Sequence, residues 1–254
     1  LSLPKASCSL AVQRLENELG TRLLHRTTRR VQLTQDGQLF YERCKDLLVD
    51  LDELQGLFRD DRRALHGRLR VDMPLAVARD VVLPQLPEFL TAHPALELEL
   101  SSTDRRVDLI REGFDCVLRV GALADSSLIA KPLGHYRMVN CASPAYLARF
   151  GRPRRPTDLR THRLVYYSAT LGTRDCTFEY VDPNSPDRVV QVEVPGAVTV
   201  NNSDAYYGAC LAGLGIIQVP EPGTRAALAS GQLVEILPKY RAAPMAVTLL
   251  YANR

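Results

Sequence analysis

The 254-residue sequence contains no tryptophan and only six phenylalanines, and none of its apolar runs approaches the length of a membrane span. The longest apolar stretch, at residues 211–219, is short and broken by glycines. The first nineteen residues are interleaved with polar side chains and lack the apolar core of a secretory signal. The composition, 46% hydrophobic and 24% charged, is that of a globular protein. The sequence therefore excludes a membrane-spanning protein and predicts a cytoplasmic one with no membrane partner.

Catalytic and metal-binding motifs are also missing. The six cysteines are all at least 25 positions apart, which excludes paired metal or redox motifs and predicts reduced, mostly buried thiols. The five histidines are scattered, and GxSxG, HExxH and P-loop patterns are absent. Gly213 and Gly215 lack the third glycine of a dinucleotide loop. We therefore expect no enzymatic activity, no metal and no cofactor.

Positive charge is concentrated near the start of the chain. Residues 21–30 contain four arginines, one histidine and no acid, whereas residues 71–254 are neutral overall. A compact basic segment on a neutral body favours contact with a polyanion such as DNA. The alternative interpretation is a solvated charged face.

The segment Lys5–Leu19 predicts a helix, with Ser2 and Pro4 at its start and Gly20 at its end. Two short strands, 23–25 and 31–33, follow and flank a basic turn. A helix followed by a basic hairpin is typical of a winged helix-turn-helix, in which the helix enters the major groove. The wing lies along the DNA backbone, with its arginines on phosphates or in the minor groove. Surface solvation is the alternative. The candidate DNA-binding residues are Lys5, Ser7 and Ser9 on the helix, and Arg26, Arg29 and Arg30 on the wing.

A long helix is predicted from Gln35 to about residue 63, with Thr34 as its cap. Its apolar residues repeat at spacings of four and three, which predicts a heptad seam and a dimerisation helix. The alternative is an amphipathic helix packed on its own domain. The candidate dimerisation residues are Phe40, Cys44, Leu47, Leu51, Leu54 and Phe58.

After residue 67 the pattern alternates between strands and helices, with helices expected at residues 79–92, 105–112 and 144–150. This alternation predicts a mostly parallel α/β sheet followed by a second, similar lobe. Ligands of such sheets bind where strands end and helices begin, and free N–H groups at a helix start suit an anion. We therefore expect a small, partly apolar effector, for which a carboxylate fits. For Ser102, Thr103 and Asn202 the alternative role is helix capping. The candidate effector residues are Pro74, Leu75, Ser102, Thr103, Arg119, Gly121, Asn201, Asn202, Ser203, Val219 and Pro220.

Several ordered motifs together resemble the LysR-type transcriptional regulators over nearly the whole chain. They are Leu3-Pro4-Lys5-Ala6-Ser7-Cys8-Ser9, Gln13-Arg14-Leu15-Glu16, residues 19–30, Leu33-Thr34-x-x-Gly37, residues 107–115, Arg119-x-Gly121 and residues 142–147.

The resemblance implies an N-terminal all-α winged helix-turn-helix (residues 1–34), a linker and dimerisation helix (35–66) and an effector domain (67–254). The effector domain is expected to be α/β, two-lobed and periplasmic-binding-protein-like (type 2). Lobe I covers about 67–137 plus the C-terminal end, and lobe II covers about 138–245.

The resemblance also implies regulation of transcription from double-stranded promoter DNA by a bacterial homo-oligomer, a dimer or tetramer, that binds a small effector. RNA polymerase is a further expected partner if the protein is an activator. A solute-binding protein of the same two-lobed fold is the alternative.

Three features differ from the family pattern. Relative to the family, the chain is expected to lack the first helices of the DNA-binding domain and the last helix of the effector domain. Leu10 stands where the family often has a polar residue, and a leucine can contact a thymine methyl but cannot hydrogen-bond a phosphate. Cys176 stands where tryptophan is common.

Overall fold

The computed structural model describes residues 5–26, 31–56, 65–105, 107–123, 127–172 and 176–252. The chain divides into two compact units, residues 1–67 and 68–254, which are described separately below. Among the described residues, helices that combine the length and the apolar character needed to cross a membrane are absent.

The first unit consists of two helices and a two-stranded antiparallel hairpin between them. The first helix has the bounds that the sequence predicts, and the first strand lies one residue later than predicted. The second helix matches its predicted start, and its predicted end lies outside the described residues. The elements are α1 (Lys5–Leu19), β1 (Leu24–Arg26), β2 (Val31–Leu33) and α2 (Gln35–Gly56).

Two polar side chains hold this unit together. The Glu16 carboxylate accepts hydrogen bonds from the backbone N–H groups of Leu23 and Leu24, at 2.8 and 3.0 Å, and so fixes α1 to β1. The Thr34 hydroxyl accepts a hydrogen bond from the Gly37 N–H at 2.9 Å, which confirms it as the cap of α2. It also donates to the Arg22 carbonyl at 2.7 Å.

Lobe I of the second unit contains a five-stranded sheet and several short helical segments. Five strands lie in the order β4-β3-β5-β14-β6. The β3 and β5 pair is parallel, but β14 is antiparallel to both β5 and β6. The mostly parallel sheet that we expected is therefore wrong for this half, because the chain returns from lobe II to supply β14 in the opposite direction. The strands are β3 (His66–Met73), β4 (Ala95–Ser102), β5 (Cys116–Val120), β6 (Ile129–Tyr136) and β14 (Met245–Tyr251).

Two predicted helices of lobe I differ from the structure. Helical structure starts at Leu75, not at residue 79, because Pro74 stands directly before the first turn. Pro84 lies in the 3-10 turn in the middle of this helical stretch, and Pro87 lies in the first turn of α4. The helix predicted from residue 105 starts only at Leu109. The segments are α3 (Leu75–Val77), a π turn (Ala78–Val82), a 3-10 turn (Leu83–Gln85), α4 (Leu86–Ala92) and α5 (Leu109–Glu112).

Lobe II contains an antiparallel three-stranded sheet in the order β12-β7-β13, a parallel pair β8 and β11, and a hairpin of β9 and β10. Its core is apolar, with Phe178, Ile216 and Ile236 fully buried. Its elements are β7 (Met138–Ala142), α6 (Pro144–Phe150), a 3-10 turn (Pro156–Thr161), β8 (Val165–Tyr167), β9 (Thr177–Asp182), β10 (Ser185–Glu193), β11 (Val198–Val200), α7 (Ser203–Leu211), β12 (Ile217–Pro220), a 3-10 turn (Glu221–Thr224), α8 (Arg225–Ala229) and β13 (Val234–Glu235).

All six cysteines are free thiols, as expected, but only Cys141 and Cys210 are buried. The expectation of mostly buried thiols is therefore wrong: Cys8 is exposed and the other three are half-buried. Burial raises the pKa of both Cys141 and Cys210 to about 12, and the Cys210 thiol donates to the Cys141 carbonyl at 3.5 Å. These two thiols are protonated core residues at neutral pH.

Candidate functional site

The candidate DNA-binding surface lies on the first unit, where the structure describes only part of it. Ser9 is exposed on α1, and so is Leu10. The backbones of Lys5, Ser7 and Arg26 are described, but their side chains lie outside the described part. Arg29 and Arg30 lie outside the described residues, as do Ser2 and Pro4. The contacts of these residues with DNA stay predictions.

The candidate dimerisation seam follows α2. Leu47 and Leu51 are exposed, with 66% and 49% of their surface accessible, whereas Phe40 and Cys44 are half-buried. The side chain of Leu54 and the whole of Phe58 lie outside the described residues. Exposed leucines at heptad spacing on one helix can pack against a second helix. This exposure supports the dimerisation seam, which stays a prediction.

The effector candidates lie on the second unit, where two of them, Thr103 and Arg119, belong to a buried polar cluster of lobe I. The Asp72 carboxylate is fully buried and lies 2.8 Å from Nη1 of Arg119. It also accepts hydrogen bonds from Ser101 and Thr103, at 2.7 and 3.2 Å. A buried carboxylate requires such partners, so Arg119 serves first to neutralise Asp72. Its other nitrogen, Nη2, is buried and has no hydrogen-bond partner among the described residues.

Asp104 joins the two lobes. It follows Thr103, just beyond the end of β4. Its Oδ1 accepts a hydrogen bond from the Leu75 N–H of lobe I at 3.1 Å. Its Oδ2 accepts one from the Ser203 N–H, the first amide of α7 in lobe II. The positive end of the α7 dipole is therefore satisfied by a carboxylate of the same chain.

Arg79 supplies a second link between the lobes. Its guanidinium pairs with Asp204 in the first turn of α7 and lies 5.9 Å from the centre of the Tyr207 ring. The same guanidinium makes two hydrogen bonds of 2.8 Å to Asp80. The hydrogen bonds to Asp80, with the added charge of Asp204, raise the pKa of Arg79. The N-terminal turn of α7 is thus fixed to lobe I at two points.

The structure brings some of the predicted effector residues together and leaves others apart. Leu75, Thr103 and Ser203 meet around Asp104 and Asp72. Pro74 and Asn202 lie next to them in the chain, and Ser102 ends β4 beside Thr103. The remaining candidates have other contacts: Gly121 donates to the Ala246 carbonyl, Asn201 accepts from the Asn202 amide, and Val219 and Pro220 pair with β7.

Two expectations about these residues change. Two N–H groups at the start of α7 are not free, because Asp104 accepts a hydrogen bond from that of Ser203 and the Asn202 side chain accepts one from that of Ala205 at 2.8 Å. Asn202 is therefore a helix cap. Ser102 and Thr103 are not caps of the next helix, because α5 begins at Leu109 and Asp108 caps it.

Sequence reasoning missed Asp72, which is buried in lobe I, and the charged residues that join the lobes: Arg79, Asp104 and Asp204. Asp104 had a usable signal, since it stands at the end of a strand, directly after two of the candidates. Arg79 and Asp204 lie in ordinary helical segments, and only the packing of the lobes brings them together.

No group of three or more histidine, cysteine or acidic residues suited to a metal occurs in the part of the chain that the structure describes. The cleft instead offers hydroxyl, amide and paired charged groups. Such groups can bind a small polar molecule between the lobes.

Family comparisons assign both units. Residues 62–254 match the LysR substrate binding domain, and residues 1–38 match the bacterial regulatory helix-turn-helix protein of the lysR family. The chain belongs to the LysR family of transcriptional regulators. Its fold is accordingly the expected winged helix-turn-helix with a linker helix and a two-lobed α/β effector domain.

Individual LysR relatives cover almost the whole chain. It is 51% identical over 253 residues to the transcriptional regulator YhjC of Escherichia coli (strain K12), covering 100% of this chain and 84% of YhjC. It is 39% identical over 256 residues to a transcriptional repressor of Pseudomonas aeruginosa, covering 99% of this chain and 78% of the repressor. The full-length structure of the Vibrio cholerae virulence activator AphB is similar, with a TM-score of 0.62, 29% identity, and 99% and 84% coverage of the two chains.

Proposed function

We propose that this LysR-type regulator reads promoter DNA in the cytoplasm with α1 and the wing, pairs through α2 and responds to a small effector between its lobes. Lys5, Ser7 and Ser9 contact the major groove, and Arg26, Arg29 and Arg30 contact phosphates. Leu75, Thr103 and Ser203 contact the effector.

One observation carries the effector part of the proposal. In the part of the chain that the structure describes, polar and charged groups join the lobes at the strand end of β4 and the start of α7, and each apolar core cluster lies within a single lobe. Polar contacts of this kind can be exchanged for contacts with a ligand at small cost in free energy. A ligand that binds one lobe arrangement better than another shifts the balance between them by that difference in affinity.

The DNA part is tested by the salt dependence of binding. Intact protein is titrated onto a labelled fragment of the DNA upstream of its own gene at several salt concentrations. Because each phosphate contact releases counterions, Arg30→Ala is expected to lower the slope of log K against log salt by about 0.9 and to weaken binding alike on all sequences.

Arg188→Ala is the matched control, because it removes the same charge from an exposed hairpin of lobe II. It is expected to leave the slope unchanged. An Arg30→Ala slope equal to that of the wild type would remove Arg30 from the DNA-binding residues.

The direction of regulation calls for a separate measurement, since the relatives include both a repressor and an activator by name. In vitro transcription with bacterial RNA polymerase distinguishes the two. An activator is expected to raise transcript yield through contact with the polymerase, and a repressor is expected to lower it. The solute-binding alternative is set aside, because residues 1–38 match a DNA-binding family.

A further inference from the structure

A carboxylate of the protein itself occupies the junction between the lobes. Asp104 belongs to lobe I, where one of its oxygens accepts the Leu75 N–H at 3.1 Å. The other oxygen accepts the Ser203 N–H at the start of α7 in lobe II. Each oxygen thus serves a different lobe.

The groups around this carboxylate are donors. Besides the two N–H groups, the Ser203 hydroxyl is buried and has no hydrogen-bond partner among the described residues. The position therefore contains two amide donors, the Ser203 hydroxyl and the positive end of a nine-residue helix.

We propose that Asp104 is an internal anion that fills the carboxylate position of the effector cleft and holds the lobes together, so that an acidic effector binds by displacing it. The inference rests on the proposed function only for the identity of the cleft as the effector site. The class of ligand follows from the donors, because two amide N–H groups, a hydroxyl and the positive end of α7 suit a carboxylate.

The displacement explains how binding would change the lobe arrangement. An incoming carboxylate cannot share the two N–H groups with Asp104, because like charges at this distance repel. Asp104 must move away, and its link between Leu75 and Ser203 is then broken. The link between Arg79 and Asp204 remains and keeps the lobes associated.

The competition also sets a threshold for recognition. A ligand has to compete with Asp104 for the same donors, so the wild-type protein binds it with lower apparent affinity than a protein without this aspartate. Small acids that make only the carboxylate contacts are expected to be excluded from the wild-type protein, while larger ones with additional contacts bind.

Hydrogen exchange at the Leu75 and Ser203 amides directly tests the latch, meaning the link that Asp104 forms between these two N–H groups. In the full chain, Asp104→Ala is expected to accelerate exchange at Leu75 and Ser203 by about tenfold, because each amide loses a charged acceptor. The buried strand β7 serves as an internal reference and should exchange as in the wild type. Asp187→Ala, which removes an exposed carboxylate from β10, is the matched control and should change neither amide.

Acetate is the probe for the anion position. Added to Asp104→Ala at constant ionic strength, acetate is expected to slow exchange at Leu75 and Ser203 back toward the wild-type rate. Sodium chloride alone should not do so, and acetate should have no effect on the wild type. Unchanged exchange in Asp104→Ala, or acceleration that acetate leaves untouched, would overturn the proposal.

A second variant keeps the test decisive if removal of the side chain perturbs folding. Asp104→Asn retains the shape but has a single acceptor oxygen, so one of the two amides should exchange faster while the other stays protected. Equal protection of both amides would contradict the latch. These measurements need neither DNA nor the natural effector, so their failure is distinguishable from a failure of the protein to bind a promoter.

Discussion

At Gly37 the side chain can only be a hydrogen. A Cβ atom built there would lie 1.9 Å from the Leu23 carbonyl oxygen, because the first turn of α2 packs against the backbone just before β1. The same turn holds the Thr34 cap. The motif Leu33-Thr34-x-x-Gly37 therefore has a physical basis: Thr34 starts the helix, and Gly37 lets it approach the hairpin.

Gly37→Ala is accordingly expected to destabilise the first unit by about 2 kcal/mol or more, because backbone atoms must move to admit the methyl group. DNA affinity should fall with it. The measurement is thermal unfolding of the intact protein together with DNA titration. Gly208→Ala is the control: it lies inside α7 with open space around it and should stabilise lobe II by about 0.5–1 kcal/mol. A Gly37→Ala protein as stable as the wild type would refute the close approach.

His162 makes the stability of lobe II depend on pH. The imidazole is buried, its Nδ1 lies 3.1 Å from the Tyr146 hydroxyl, and burial lowers its pKa although the charge of Asp158 opposes the shift. A lowered pKa means that the folded protein binds fewer protons than the unfolded chain. The contribution is therefore complete above the unfolded pKa of 6.5 and is lost as the pH falls below it.

We expect the urea concentration at the unfolding midpoint to decrease as the pH is lowered from about 7.5 to about 5.5. The decrease should be smaller in His162→Gln. The other four histidines are present in both proteins, so the difference isolates this residue. Asp158 and Glu221 have lowered pKa values, so they change protonation at a more acidic pH than the range used to test His162. Identical pH profiles for the two proteins would show that burial of His162 has no energetic effect.

The residue scale also shows the limit of sequence reasoning at the site. Asn202 was predictable as a helix cap, because the cap and its partner amide are three residues apart. Asp104 was not predictable as the partner of Ser203, because 99 residues separate them and only the packing of the lobes sets their distance. Local hydrogen bonds are encoded in spacing, whereas contacts across the cleft are not.

At the scale of elements, predictions succeeded where both ends carried a signal. Helix α6 was predicted with its observed bounds, since Ser143 caps it and Gly151 ends it. Strand β6 was missed, because Gly134 and Pro132 interrupt its pattern. Proline is tolerated there since β6 is an edge strand with a register shift opposite.

Pairing through α2 can be tested with the substitution Leu51→Glu. It should reduce the mass measured by light scattering to that of a smaller assembly, because a charge in an apolar seam has no partner. Gln38→Glu adds the same charge to the same helix away from the seam and should leave the mass unchanged. A wild-type mass for Leu51→Glu would mean that α2 is not the pairing element.

At the scale of the whole molecule, two units of different character share one chain. The first is a small helix–hairpin–helix unit held by Glu16 and Thr34, and the second is a two-lobed unit held across its cleft by Asp104 and Arg79. Family membership joins the two in one regulator. An effector that alters the lobes can alter transcription only through the difference in its affinity for the arrangements of the assembly.

Paired reading of promoter DNA is measured most directly by DNase I footprinting of the intact protein on the DNA upstream of its own gene. We expect two protected segments whose centres are separated by a whole number of helical turns, about 10 base pairs each, and their joint loss in Leu51→Glu. A single protected segment that persists in Leu51→Glu, or no protection even at low salt, would contradict paired reading.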